Sequence, residues 1–72
     1  MKKSVVLNPA SAYRKKGDVY AFYYNFDYIF FTGEAAKLVE KLLVAIQNKC
    51  GFESLPDSFL SYLISKKIVL EE

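Results

Sequence analysis

Residues 20–31 read YAFYYNFDYIFF, and eight of these twelve are aromatic while only Asp27 carries a charge. Phe and Tyr in such density favour extended backbone, because their rings pack on a pleated surface and lose rotamer freedom in a helix. Two runs, 19–24 and 28–31, each have strand length. The interruption Asn25-Phe26-Asp27 supplies residue types that tolerate the left-handed backbone of a hairpin loop. The expected object is a tight antiparallel hairpin that is aromatic on both faces. Following helices can bury one face, so the surplus rings must meet solvent, a partner chain or a second copy.

Upstream, Ala12 to Lys16 is the next candidate strand, and Lys16-Gly17-Asp18 is a loop in which Gly17 takes positive φ. This makes a three-stranded meander. Further back, Val5-Val6-Leu7 precedes Asn8-Pro9, where Pro9 holds Asn8 extended and a turn follows; these residues add a short strand or lie as an arm over the sheet.

Downstream, Thr32-Gly33-Glu34 marks a change of period. Thr32 is placed to cap a helix and Glu34 to meet its positive end. Ala35, Leu38, Val39, Leu42, Leu43 and Ile46 then recur at helical spacing, with Lys37, Glu40, Lys41, Gln47 and Asn48 opposite. The spacing predicts a helix of about fifteen residues, closed by Gly51 in a left-handed cap. Ser54-Leu55-Pro56-Asp57 reads as a second start, with Ser54 as the cap and Pro56 in the first turn. That helix is expected to run to about Lys66, burying Leu55, Phe59, Leu60, Leu63 and Ile64, before the β-type run Ile68-Val69-Leu70.

Composition bounds the rest. A chain of 72 residues makes one domain, at a size where a core supplies a surplus of only about 3 to 5 kcal/mol. With 53% hydrophobic and 25% charged residues it is too apolar to be disordered and too interrupted to span a membrane. The apolar run behind Met1-Lys2-Lys3 is far shorter than a secretory core, which places the chain in the cytoplasm.

The absence of His and the single Cys50 leave no intrachain disulfide, and they argue against a metal site or a Cys/His nucleophile. Cys50 is expected as inert filler. No cofactor is called for, and catalysis by the chain alone is not expected. A net charge of +2 and a pI of 8.7, with cations in the clusters Lys2-Lys3, Arg14-Lys15-Lys16 and Lys66-Lys67, fall short of the strongly basic balance of a dedicated DNA-binder. Those clusters are expected to be solvated turn and terminus residues.

The order of elements, joined through Phe31-Thr32-Gly33-Glu34-Ala35-Ala36 to the stripe Leu38, Val39, Leu42, Leu43 and ending in Phe59-Leu60-Ser61-Tyr62-Leu63, resembles the PqqD-like domains, or RiPP recognition elements. The resemblance covers most of the chain. It implies an α+β fold, a small winged helix-turn-helix-like domain with a three-stranded antiparallel sheet followed by two or three helices. Two departures stand out. Cys50-Gly51-Phe52-Glu53 leaves a family-type second helix lost or reduced to one turn, and Lys66-Lys67 replaces the usual Gly, so the last turn is expected to close differently.

Members of that family bind the leader of a ribosomally made precursor peptide and present it to a modifying enzyme, often a radical SAM protein. The leader adds as an antiparallel strand between the third strand and the last helix. Carried over, the resemblance implies a peptide site of Tyr28, Ile29, Phe30 and Phe31 on the strand, with Phe59, Tyr62, Leu63 and Lys66 as the helix wall. The partners implied are a leader peptide and its modifying enzyme, with no membrane. A homodimer through the aromatic edge is compatible with the same features.

Two alternatives stay open. A winged-helix nucleic-acid binder would place its last helix in the major groove, with Lys66, Lys67 and Arg14 to Lys16 on phosphates. Nucleic acid is not the expected partner, because residues 57–67 offer no Arg, Asn or Gln to base edges. A small structural subunit of an enzyme complex would share the adaptor's lack of catalytic groups.

Overall fold

The computed structural model describes residues 4–72, so the Lys2-Lys3 cluster lies outside the described residues. The aromatic run forms a hairpin of β3 (Val19–Tyr24) and β4 (Asp27–Phe31), with β2 (Ala12–Lys16) on the other side of β3. The loop is one residue shorter than expected. Asn25 and Phe26 alone make the turn at φ 54° and 68°, and Asp27 already pairs with Tyr24. Two consecutive positive φ values define the mirror-image turn whose twist matches the strands. Gly17 takes φ 60° in the β2–β3 loop, as expected.

The chain's outer segments pair with each other. β1 (Val5–Leu7) runs antiparallel to β5 (Val69–Glu71), forming a separate two-stranded sheet. Asn8 fastens this closure. Its Nδ2 donates to the Lys67 carbonyl at 2.7 Å, its Oδ1 accepts from the Ala10 amide at 2.9 Å, and its own amide donates to the Ile68 carbonyl at 3.0 Å.

Helix α1 (Glu34–Asn48) has the expected fifteen residues and packs on β1, β3 and β4. Its buried line is Ala36, Val39, Leu42 and Ala45, with Leu38, Leu43 and Ile46 partly buried beside it. Three predicted caps are corrected by the structure. The N-cap of α1 is Gly33 at φ 60°, and Thr32 contributes only its carbonyl, which accepts from the Ala35 amide. The helix ends at Lys49 in left-handed conformation, two residues before Gly51. Gly51, at φ 93°, instead opens a single 3-10 turn (Phe52–Ser54), whose Ser54 Oγ donates to the Gly51 carbonyl at 2.9 Å. Ser54 therefore caps no α-helix; Pro56 stands immediately before α2 (Asp57–Ser65).

Among the described residues the fold is thus α+β, with an antiparallel three-stranded sheet, the β1–β5 pair and two α-helices, and one 3-10 turn lies between the helices. Cys50 is exposed beyond α1 and fills nothing, which corrects its expected role. The core gathers Tyr20, Phe22 and Phe31 from the sheet with residues of both helices, and it extends to Ile68 and Val69 at the C-terminus. No helix among the described residues is long and apolar enough to cross a membrane.

Candidate functional site

The register decides which backbone groups β4 offers. A two-residue loop makes its flanking pair, Tyr24 and Asp27, a hydrogen-bonded pair, and the pattern alternates from there. Phe22–Ile29 and Tyr20–Phe31 are therefore bonded pairs, whereas Tyr23–Tyr28 and Ala21–Phe30 are not. The amide and carbonyl groups of Tyr28 and Phe30 point away from β3. β4 is an edge strand of its sheet, so these groups face an open side.

Beside that edge runs a groove of about 590 Å³. Tyr28, Ile29 and Phe30 form one side, Tyr62, Ser65, Lys66 and Lys67 the other, and Tyr24, Asn25 and Asp27 close the turn end. The Tyr62 ring stands edge-on to Phe31, with centroids 6.5 Å apart, and the Lys66 ammonium lies 5.8 Å from the Tyr62 ring centre. One wall is thus a strand edge with free amides, and the other is an aromatic ring flanked by two cations.

The eight expected site residues divide into two groups. Tyr28, Ile29, Phe30, Tyr62 and Lys66 line the groove. Phe31, Phe59 and Leu63 are buried in the core behind it, where Phe31 and Phe59 meet edge to face at 6.1 Å. They hold the two walls together and offer no surface to a ligand. Lys67 was not expected as a wall residue. It takes φ 64° because α2 closes with the Ile68 amide on the Leu63 carbonyl and the Lys67 amide on the Ile64 carbonyl. This is the paired closure in which Gly is usual. The turn at Lys66-Lys67 was expected to close differently; it closes in the usual way, with Lys67 taking the left-handed position of the Gly.

The outer face of the sheet carries a second set of exposed groups. Strand alternation puts Arg14, Lys16, Ala21, Tyr23, Tyr28 and Phe30 on the side away from the helices. Lys15, by contrast, lies on the inner side, with its ammonium 5.6 Å from the Tyr20 ring centre and 3.5 Å from Glu40 of α1. Among the described residues no group of His, Cys, Asp or Glu is arranged to hold a metal ion. No protein-family model, curated protein or solved structure matches the chain.

Proposed function

We propose that this chain is a non-catalytic adaptor that binds an extended peptide by strand addition to β4. The carrying observation is the edge itself: outward amides at Tyr28 and Phe30 stand beside a groove walled by Tyr62, Lys66 and Lys67. A peptide strand laid there takes its affinity from main-chain hydrogen bonds and its specificity from alternate side chains. Those turned toward α2 meet Tyr62 and the two lysines, which favours an acidic residue at that position.

The resemblance to PqqD-like domains supplies the peptide's identity in this proposal. It is the leader of a ribosomally synthesised precursor, presented in the cytoplasm to a modifying enzyme such as a radical SAM protein. In the same proposal the domain is a reduced winged helix-turn-helix, with the 3-10 turn in place of the family's middle helix and the β3–β4 hairpin as the wing. Reading by α2 in a DNA groove is less well supported, because its exposed positions are Asp57, Ser58, Ser61, Tyr62 and Ser65 rather than long base-reading side chains.

The test is isotope-filtered NMR of the labelled chain titrated with the leader segments of short precursor-like peptides sought among the genes beside its own. Leader contacts to residues 28–30 and to Tyr62 are expected. Contacts confined to α1 would sink the proposal.

A further inference from the structure

The outer sheet face shares Tyr28 and Phe30 with the groove but extends from them across β3 and β2, away from α2, and its chemistry differs. Tyr28 and Phe30 are 66% and 65% exposed there, with ring planes 13° apart and centroids at 6.3 Å. Tyr23 continues the row, its centroid 4.8 Å from that of Tyr28. Next to the rings Ala21 and Ala12 leave a shallow depression of about 640 Å³, and Arg14 and Lys16 rise from β2 on its far side. None of the nine residues lining this depression is acidic. The near balance of charge over the whole chain hides this, because none of the eight acidic residues lines the depression.

We infer that this face is a stacking platform for single-stranded nucleic acid. The ligand must present flat apolar surfaces to three neighbouring rings and negative charge to two cations one or two strands away. A single strand does both at every nucleotide, since each base has a π-face and each link a phosphate. Exposed aromatics on an antiparallel sheet, flanked by cations, are a general means of holding splayed bases. A duplex keeps its bases stacked on one another and offers the rings nothing but backbone. A second copy of this chain, laid on the same face, brings two more cations and no acid from the facing depression.

The test uses the full-length chain and a fluorescein-labelled oligothymidylate of about twelve nucleotides, followed by anisotropy at about 50 mM salt, with a duplex of equal length alongside. Single-strand binding tighter than duplex binding is expected. Tyr23→Ala and Tyr28→Ala should each weaken it by about fivefold to 150-fold. Two phosphate contacts predict a log-log salt slope of about −1.4, which Arg14→Ala should roughly halve.

Arg14→Glu with Lys16→Glu, both at exposed positions that cannot unfold the core, should abolish binding, while Lys66→Glu in the groove should leave it unchanged. The inference is overturned if duplex binds as well as single strand, or if removing the rings leaves affinity unaltered. It is equally overturned if polyglutamate displaces the oligonucleotide through the same rings, or if anionic vesicles bind this face where the oligonucleotide does not. Sedimentation as a dimer that Tyr23→Ala dissociates, with no oligonucleotide binding, would assign the face to a second copy.

Discussion

Phe31 on β4 and Tyr62 on α2 meet edge to face, with ring planes at 85° and centroids 6.5 Å apart. Phe31 is buried and Tyr62 is 43% exposed, so the pair spans the boundary between core and groove. It sets the distance between the strand edge and the helix wall. An edge-to-face pair of this kind contributes about 0.5 to 1.5 kcal/mol beyond the area it buries.

Tyr62→Ala should therefore lower stability by about 1 kcal/mol, leaving the domain folded but widening the groove and weakening peptide binding. Leu63→Ala, one residue along and fully buried, should cost about 2 to 5 kcal/mol, a large part of the surplus a core of this size supplies. Paired urea titrations and binding isotherms separate the two. Equal destabilisation by both substitutions would show that Tyr62 is core and no wall.

Proline on β4 tests the register. The Ile29 amide lies inside the β3–β4 ladder and the Phe30 amide points outward, so Ile29→Pro should unfold the chain while Phe30→Pro should leave it folded and unable to pair with a peptide strand. Circular dichroism and calorimetry with the leader segment give the two readouts. The opposite assignment of the two prolines would show the register to be shifted by one.

Two left-handed residues are places where the fold tolerates strain. Phe26, at φ 68°, is 88% exposed and gains no core contact in return, and Lys67 stands at φ 64° after α2. Phe26→Gly makes the turn Asn-Gly, the preferred pair for this geometry, and Lys67→Gly restores the usual helix closure. Each should stabilise by about 1 kcal/mol, a rise in Tm of about 4 to 8 °C for a domain this small. A thermal melt decides. Unchanged or lowered Tm in both would mean the side chains hold contacts that outweigh the backbone.

Asn8→Ala should be costlier than a turn residue ordinarily is. Asn8 is a buried polar side chain, and its loss strands the Lys67 carbonyl and frees the turn at Ala10. About 1 to 3 kcal/mol is expected. Because that carbonyl belongs to the residue walling the groove, binding should weaken along with stability. Amide exchange of Asn8 and Glu72 should quicken first, since their amides bond across the β1–β5 closure.

Much of the local structure is legible without coordinates, for local reasons. The density of rings in residues 20–31 requires extended backbone, and the change from Tyr28-Ile29-Phe30-Phe31 to the stripe of Val39 and Leu42 marks the passage from a period of two to one of 3.6. Both effects act over a few residues. The limits of β2 and the length of α1 follow from the same short-range preferences. The caps do not. Thr32, Gly51 and Ser54 all have the right chemistry for helix ends, yet Gly33, Lys49 and Pro56 stand at those positions, because packing of the whole helix outweighs the roughly 1 kcal/mol a cap offers.

Three matters were settled only by tertiary structure. The pairing of β1 with β5, and the bond from Asn8 to a residue 59 positions away, join segments whose sequences carry no sign of each other. Of the eight expected site residues, Phe31, Phe59 and Leu63 are indistinguishable by type from their groove-lining neighbours; what separates them is which side of β4 and α2 the core happens to cover. Alternation alone defines two faces and two sets of amides, but it does not say which face is buried or which amides are spent on a neighbouring strand. Those assignments depend on the two-residue turn at Asn25-Phe26, on α1 lying against β3 and β4, and on Phe59 and Tyr62 of α2 meeting Phe31, a long-range choice that a local pattern cannot encode.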